Sequence, residues 1–354
     1  MSAEQACPLP GVVEGFYGHP WADGARLALL PKLSAAGHKL YIYAPKSDVY
    51  LRKHWRQSPP DGWYRKLTEL RDACHREGMR FGVGLSPLAF DDAQGSNEER
   101  CWLDALARLH SLGIDALHLL FDDMAGDPDM LRRQCRLTEL ALTYFSPAQL
   151  ALCPSYYCFD PILEQLFGQK PKTYWRDLGR ELPPAIDLLW TGESVINASI
   201  MPADCERIAQ EFDRYPLLWD NYPVNDGRKT HHFLHLAPLT GRPPELAGVT
   251  RGHLLNPMVQ PFLSLPALMS LPAVYRGEQL SPQQGFAAAQ FSEALQALLV
   301  RAWQLFQYQG HADLSPERRQ RLVSDYKTLK DAAAEEVADW LDGRYLFDPD
   351  CLND

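Results

Sequence analysis

Eight short runs of apolar and β-branched residues punctuate the chain as far as Leu255. They are Gly11–Tyr17, Leu40–Ala44, Arg80–Leu85, Leu117–Phe121, Leu150–Cys153, Ile186–Trp190, Leu217–Trp219 and Gly252–Leu255. Most are apolar along their length rather than alternating, the pattern of strands buried on both faces of a parallel sheet. Between most of them lie stretches with apolar residues at helical spacing. Examples are Leu29 and Leu33 with their flanking alanines, then Leu67, Leu70 and Ala73, then Leu103, Leu106 and Leu109. Strands and helices alternating in this way, with eight strands, predict an α/β fold of the (β/α)8 TIM-barrel type over residues 8–270. A doubly wound open sheet is the structural alternative. It should open with a glycine-rich phosphate turn after the first strand, and Glu14-Gly15-Phe16-Tyr17-Gly18 does not fit G-x-G-x-x-G.

Beyond residue 270 the period changes. Ser281-Pro282 reads as a helix N-cap followed by a proline in the first turn. Phe291, Leu295, Leu298, Ala302, Leu305 and Phe306 then trace one helical face. Ser315-Pro316-Glu317 repeats the start signal. Leu322, Tyr326, Leu329, Ala333, Val337 and Trp340 trace a second face, which Gly343 would end. The expectation is a C-terminal helical appendage over residues 271–354, with no low-complexity linker and no internal repeat.

Composition narrows the function classes. The chain has 354 residues, 46% of them hydrophobic, which suits one barrel-sized domain plus an appendage. The net charge of −10 comes from mixed acidic and basic residues without a basic stripe, so nucleic acid is not an expected partner. No run is long enough to span a bilayer, and the first residues lack the basic start and apolar core of a signal peptide. The eight cysteines are scattered without a disulfide framework, so the expected compartment is a reducing cytoplasm. Cys153 and Cys158 lack zinc-ligand spacing. His231, His232 and His235 cluster without metal logic. Neither cofactor nor metal is expected, and the oligomeric state is left open.

The chemistry should lie at the C-terminal ends of the strands, where barrels of this kind keep it. The fourth run ends in Asp122 and Asp123. Adjacent acids push each other's pKa values apart, as acid/base work requires, although an Asp after a strand also serves as a helix N-cap. The other ends offer Glu14 to Gly18, Lys46 to Asp48, Ser155 to Tyr157, Trp190 to Gly192, Trp219 to Tyr222, Asn225 and Asp226, and Asn256. Amides and carboxylates bind hydroxyls, and aromatic faces stack on sugar rings, so the set suits a neutral polyhydroxylated ligand. Singly, Trp190 and Trp219 could be core, Asn256 a turn former and Lys46 a solvated charge.

Six motifs, in order over residues 8–260, resemble glycoside hydrolase family 84, which contains the O-GlcNAcases and related bacterial β-N-acetylglucosaminidases. They are Val12-Val13-Glu14-Gly15-Phe16-Tyr17-Gly18-His19-Pro20-Trp21, Tyr41-Ile42-Tyr43-Ala44-Pro45-Lys46, Leu120-Phe121-Asp122-Asp123, Cys153-Pro154-Ser155-Tyr156-Tyr157-Cys158, Leu189-Trp190-Thr191-Gly192 and Trp219-Asp220-Asn221. The resemblance implies a retaining β-N-acetylglucosaminidase acting on a glycoprotein or other glycoconjugate with terminal β-linked N-acetylglucosamine. The sugar's own acetamido oxygen would attack the anomeric carbon and form an oxazoline. By motif position, Asp122 would polarise the acetamido group and Asp123 would be the general acid/base. Gly15 and Lys46 would meet the 3-hydroxyl region. Asn221 would sit beside the acetamido group. Tyr157 and Trp219, with Thr191, would wall its pocket. Asp226 and Asn256 would hold the hydroxyls at positions 4 and 6, and Tyr17 would support the pocket.

Two motif positions depart from the family: Ser86-Pro87-Leu88-Ala89 replaces a Ser-Pro-Gly turn, and Ser47 replaces an acidic residue. Both bear on outer subsites. Two other readings stand beside the main one: an amino-sugar-binding protein without turnover, and a hydrolase of longer amino-sugar polymers such as hyaluronan.

Overall fold

The computed structural model describes residues 9–347. Its centre is a closed barrel of eight parallel strands in sequence order. They are β1 (Leu9–Glu14), β2 (Leu40–Tyr43), β3 (Arg80–Leu85), β4 (Ala116–Leu120), β5 (Leu150–Cys153), β6 (Asp187–Trp190), β7 (Leu217–Asp220) and β8 (Gly252–Leu255). β1 closes the ring on β8 through the register Leu9↔Gly252 to Val12↔Leu255. Every residue of β4 is buried, as its unbroken apolar run requires.

The surrounding helices are α1 (Asp23–Ala36), α2 (Asp61–Arg76), α3 (Ser96–Ser111), α4 (Met130–Ala141), α5 (Ile162–Phe167), α6 (Tyr174–Glu181), α7 (Pro202–Phe212) and α8 (Leu265–Tyr275). In α2, Trp63, Leu67, Leu70, Ala73 and Cys74 form the buried stripe predicted by the spacing. Gly37, at φ 116°, stops α1 in the left-handed region, and its N–H bonds back to the Leu33 and Ser34 carbonyls.

The ends of five predicted strands, β1, β2, β4, β6 and β7, shift by one to three residues. β1 stops at Glu14 instead of running to Tyr17, because the Gly15 N–H turns back to the Val13 carbonyl at 2.9 Å and releases the following residues over the barrel mouth. β7 extends to Asp220, which still pairs with Leu255. Between β7 and β8 no α-helix forms. A long loop with a 3-10 turn at Pro244–Gly248 takes its place.

The C-terminal region is broken more often than its apolar faces imply. The first predicted helix is two, α9 (Pro282–Ala288) and α10 (Glu293–Gln304). Gln290 adopts φ 60° between them, and Ser292 caps the second. The second is also two, α11 (Pro316–Lys327) and α12 (Ala332–Leu341). Lys330, at φ 50°, breaks the run, and the Asp331 side chain accepts from the N–H groups of Ala333 and Ala334. Apolar spacing survives a single-residue break, which is why each pair reads as one helix. Gly343 does end the last one, at φ 83°.

These helices brace the loop that replaces the missing one. The Leu234 N–H donates to the Phe306 carbonyl, that of His311 to the His232 carbonyl, and the Trp340 indole to the His231 carbonyl at 3.0 Å. One turn before Trp340, the buried Glu336 of α12 accepts from the Phe262 and Leu263 N–H groups at 3.1 and 2.9 Å. Those two amides belong to the 3-10 turn that leads into α8. Among the described residues no helix is long and apolar enough to cross a membrane.

Candidate active site

At the C-terminal mouth of the barrel lies a cavity of about 130 Å³. Gly15, Tyr17, Lys46, Asp122, Asp123, Tyr157, Thr191, Trp219, Asn221, Asp226 and Asn256 all line it. The eleven residues to which the resemblance gives a site role therefore meet in one place. Cys153, Val195, Ile196 and Val224 line it too and were not foreseen. Cys153 had a legible signal, since it is the last residue of β5. The other three sit on irregular loops, where no periodicity marks them.

Adjacent residues of a strand point to opposite faces, so Asp122 and Asp123 could not share a pocket inside β4. The strand ends at Leu120, and Asp123 takes a left-handed φ of 57°. That conformation is costly for a residue with a Cβ and is typical of strain held at functional sites. It aims both carboxylates into the cavity.

The two acids then meet different surroundings. Lys46 Nζ lies 2.5 Å from Asp122 Oδ2. Among the described residues Asp122 Oδ1 is buried without a hydrogen-bond partner, a free acceptor. Among the same residues no cation bonds Asp123 directly. The hydroxyls of Tyr17 and Tyr157 donate to its two oxygens at 2.8 and 2.9 Å. Burial first, then the charge of Asp122, raises its pKa above the ordinary carboxylate value, against the opposing pull of Lys46 and the two phenols. Both tyrosines are held far above the usual phenol range, chiefly by burial and by Asp123, and so remain donors.

The walls are fixed by amides and glycine. Trp219 Nε1 donates to Asn221 Oδ1 at 2.9 Å, and Asn256 Nδ2 donates to the same oxygen at 3.0 Å. Asn221 Nδ2 in turn donates to the Val195 carbonyl, tying β7 to the loop after β6. Asn256 Oδ1 accepts from the Gly15 N–H. A Cβ at Gly15 would fall 2.2 Å from Trp219 Cζ2, so only glycine lets the indole lie across the cavity. Asp226 Oδ2 accepts from the Tyr17 N–H at 2.7 Å. Burial raises its pKa to about 6.

Several strand-end polar residues do not face the mouth. Glu14 turns into the layer between barrel and helices, where it pairs with Arg26 at 2.7 Å and accepts from the Tyr41 hydroxyl. Asp220 does the same with Arg242, at 2.7 Å, and with His253; burial pushes its pKa up, but the Arg242 charge and these hydrogen bonds outweigh it and lower the pKa. Asp48 accepts from Tyr43 and Trp63, Asn225 bonds Gln260, and Trp190 lies among Phe159, Trp175 and Phe212. These groups support the walls. Arg242 also donates to the carbonyls of Asn197 and Ala198, so the Asp220 clamp pins the loop that carries Val195 and Ile196.

The departing third loop is firmly held. Ala89 takes φ 53°, and the carbonyls of Leu88 and Ala89 accept from Trp55 and Arg56. Among the described residues no group of three His, Cys, Asp or Glu side chains could hold a metal ion. Cys7 and Cys351 lie outside the described residues.

A closed (β/α)8 barrel with an adjacent carboxylate pair at its mouth, walled by amides and aromatics, defines a class of sugar-processing enzymes. The particular family follows from comparison. A family model for beta-N-acetylglucosaminidase matches residues 10–302, and the chain belongs to that family, glycoside hydrolase family 84. The "Protein O-GlcNAcase" of Rattus norvegicus and that of Mus musculus are each 30% identical to it over 281 residues. Each alignment covers 76% of this chain and 30% of the relative, so the chain spans under a third of their length. Among solved structures, a mutant form of the Thermobaculum terrenum O-GlcNAc hydrolase superposes with a TM-score of 0.73 at 27% identity. That match covers 90% of this chain and 71% of the other.

Proposed function

We propose that the chain hydrolyses terminal β-linked N-acetylglucosamine with retention of configuration, using the substrate's acetamido group as nucleophile. The observation that carries the reading is the unequal setting of the two acids. Asp122 is ion-paired to Lys46 with one oxygen free, and Asp123 is phenol-bonded with a raised pKa. A carboxylate paired with a cation and a buried carboxyl with a raised pKa divide acid and base roles between them.

In the first step the ionised Asp122 accepts the acetamido N–H and stabilises its growing positive charge. The acetamido oxygen bonds to the anomeric carbon as the glycosidic C–O bond breaks, and Asp123 gives its proton to the leaving oxygen. In the second step Asp123, now a carboxylate, takes a proton from water. The water oxygen bonds to the anomeric carbon, and the oxazoline C–O bond breaks to restore the acetamido group. Tyr157, Trp219 and Thr191 enclose that group beside Asn221. Gly15 and Lys46 meet the 3-hydroxyl, Asp226 and Asn256 meet those at positions 4 and 6, and Tyr17 supports the acid.

The cavity suits one terminal ring, which favours an exo-acting enzyme over one for longer polymers. A glycoprotein or other glycoconjugate bearing such a ring is the proposed substrate. The six cysteines among the described residues are free thiols, which fits work in a reducing cytoplasm. The test is hydrolysis of 4-methylumbelliferyl β-N-acetylglucosaminide by wild type and Asp122→Asn. Turnover in the first and its loss in the second is the expected result. An inert wild type would point to a sugar-binding protein instead.

A further inference from the structure

Arg52 follows β2 and lies outside the set of residues assigned above. Its side chain is buried, with 6% of the residue exposed, yet among the described residues its guanidinium forms no ion pair with a carboxylate. A buried cation without a counter-charge is costly. Its contacts run instead to Tyr17: one guanidinium nitrogen is 3.5 Å from the phenol oxygen, and the guanidinium carbon is 5.4 Å from the ring centroid. The same phenol donates to Asp123 at 2.8 Å.

The backbone around Arg52 is locked. The Ser86 N–H donates to the Leu51 carbonyl at 2.8 Å, the Trp55 indole to Leu88, and Arg108 to the Trp55 carbonyl at 2.7 Å. Arg56 holds Glu98 and the third-loop carbonyls. A rigid frame therefore presents the guanidinium to Tyr17.

We infer that Arg52 is a positioning residue for the acid/base step: it orients the Tyr17 hydroxyl and, through it, stabilises the carboxylate left on Asp123 once its proton has moved to the leaving oxygen. This inference rests on the hydrolase reading above. Each acid then has its own cation. Lys46 touches Asp122 directly, which suits a group that must start ionised. Arg52 reaches Asp123 only through a phenol. A direct ion pair would strip Asp123 of its proton before the reaction, whereas a relayed charge strengthens as the carboxylate forms. Such an interaction favours the transition state over the ground state. The other ionisable groups lining the cavity are Asp122, Lys46, Tyr157, Asp226 and Cys153, and among the described residues none of them hydrogen-bonds or ion-pairs with Arg52.

The test compares the pH dependence of kcat/KM for wild type, Arg52→Gln, Arg52→Lys, Tyr17→Phe and the Gln/Phe double variant. The substrates are aryl β-N-acetylglucosaminides with good and poor leaving groups. Removing a positive charge disfavours the Asp123 carboxylate, so in Arg52→Gln the alkaline limb should move up by roughly half to one pH unit. The acidic limb should stay in place. The poor leaving group should lose more rate than the good one, and Arg52→Lys should shift less. The double variant should be no worse than Tyr17→Phe, because both act along one relay. An unmoved alkaline limb with a uniform loss on all substrates overturns the inference, as does a double variant whose losses multiply. If Arg52→Gln does not fold, the uncharged Arg52→Met, alone and combined with Tyr17→Phe, gives the same comparison. A wild type without hydrolysis sinks the functional reading and this inference together. Wild-type turnover with an unmoved limb sinks the inference alone.

Discussion

Asp123 and Asp226 are both carboxyls held above their ordinary pKa by burial, with different consequences. For Asp123 the raised value maintains a proton donor. Asp123→Ala should slow substrates with poor leaving groups by about 10²- to 10⁴-fold, the usual span for a general acid, and spare those that need little protonation. Equal losses on both would contradict the acid role. The kcat/KM profile should be bell-shaped, with the alkaline limb set by loss of the Asp123 proton; a profile without that limb contradicts the acid role. For Asp226 the raised value costs stability. Between its ordinary value of 3.8 and about 6 the folded chain holds a proton that the unfolded chain has lost. Stability therefore falls as pH rises through that window. Asp226→Asn keeps an acceptor for the Tyr17 N–H and removes the charge. Its Tm should exceed that of wild type above pH 6 and match it below 3.8, while KM for the sugar rises. A lowered Tm at neutral pH would show that the charge is stabilising.

Elements were legible where one periodicity ruled them. Each barrel strand is covered on both faces, so its apolar run was visible, and β3, β5 and β8 were placed to the residue. The mouth was legible less fully. Asp122 and Asp123 announced themselves at a strand end, but Glu14 and Asp220 looked the same and point outward. Their partners Arg26, Arg242 and His253 lie 12 to 33 positions away, beyond any local pattern. The four C-terminal helices merged into two because polar caps interrupt the chain without disturbing its apolar spacing. Glu336 was equally invisible, since its value lies in two distant amides. Glu336→Ala strands both donors and should cost about 1–3 kcal/mol, read from the midpoint of chemical denaturation. Glu336→Gln keeps one acceptor and should cost less. Identical midpoints for Ala and wild type would remove the brace from the account.

At the scale of the whole molecule, the barrel lacks the helix that would join β7 to β8. The loop there carries Asn221 and Asp226 into the cavity and leans on the C-terminal region through hydrogen bonds linking Leu234, His232 and His231 to Phe306, His311 and Trp340. Amide hydrogen exchange across Phe306–Leu341 should slow when the cavity is filled by N-acetylglucosamine. Unchanged exchange under saturation would break that link. Linkage makes the relation reciprocal. If sugar steadies the C-terminal helices, then whatever steadies those helices tightens the grip on sugar by the same factor. A surface remote from the acids thus becomes a handle on affinity. Sequence drift, a bound partner or an engineered crosslink on α11 or α12 could tune the enzyme there without touching its chemistry.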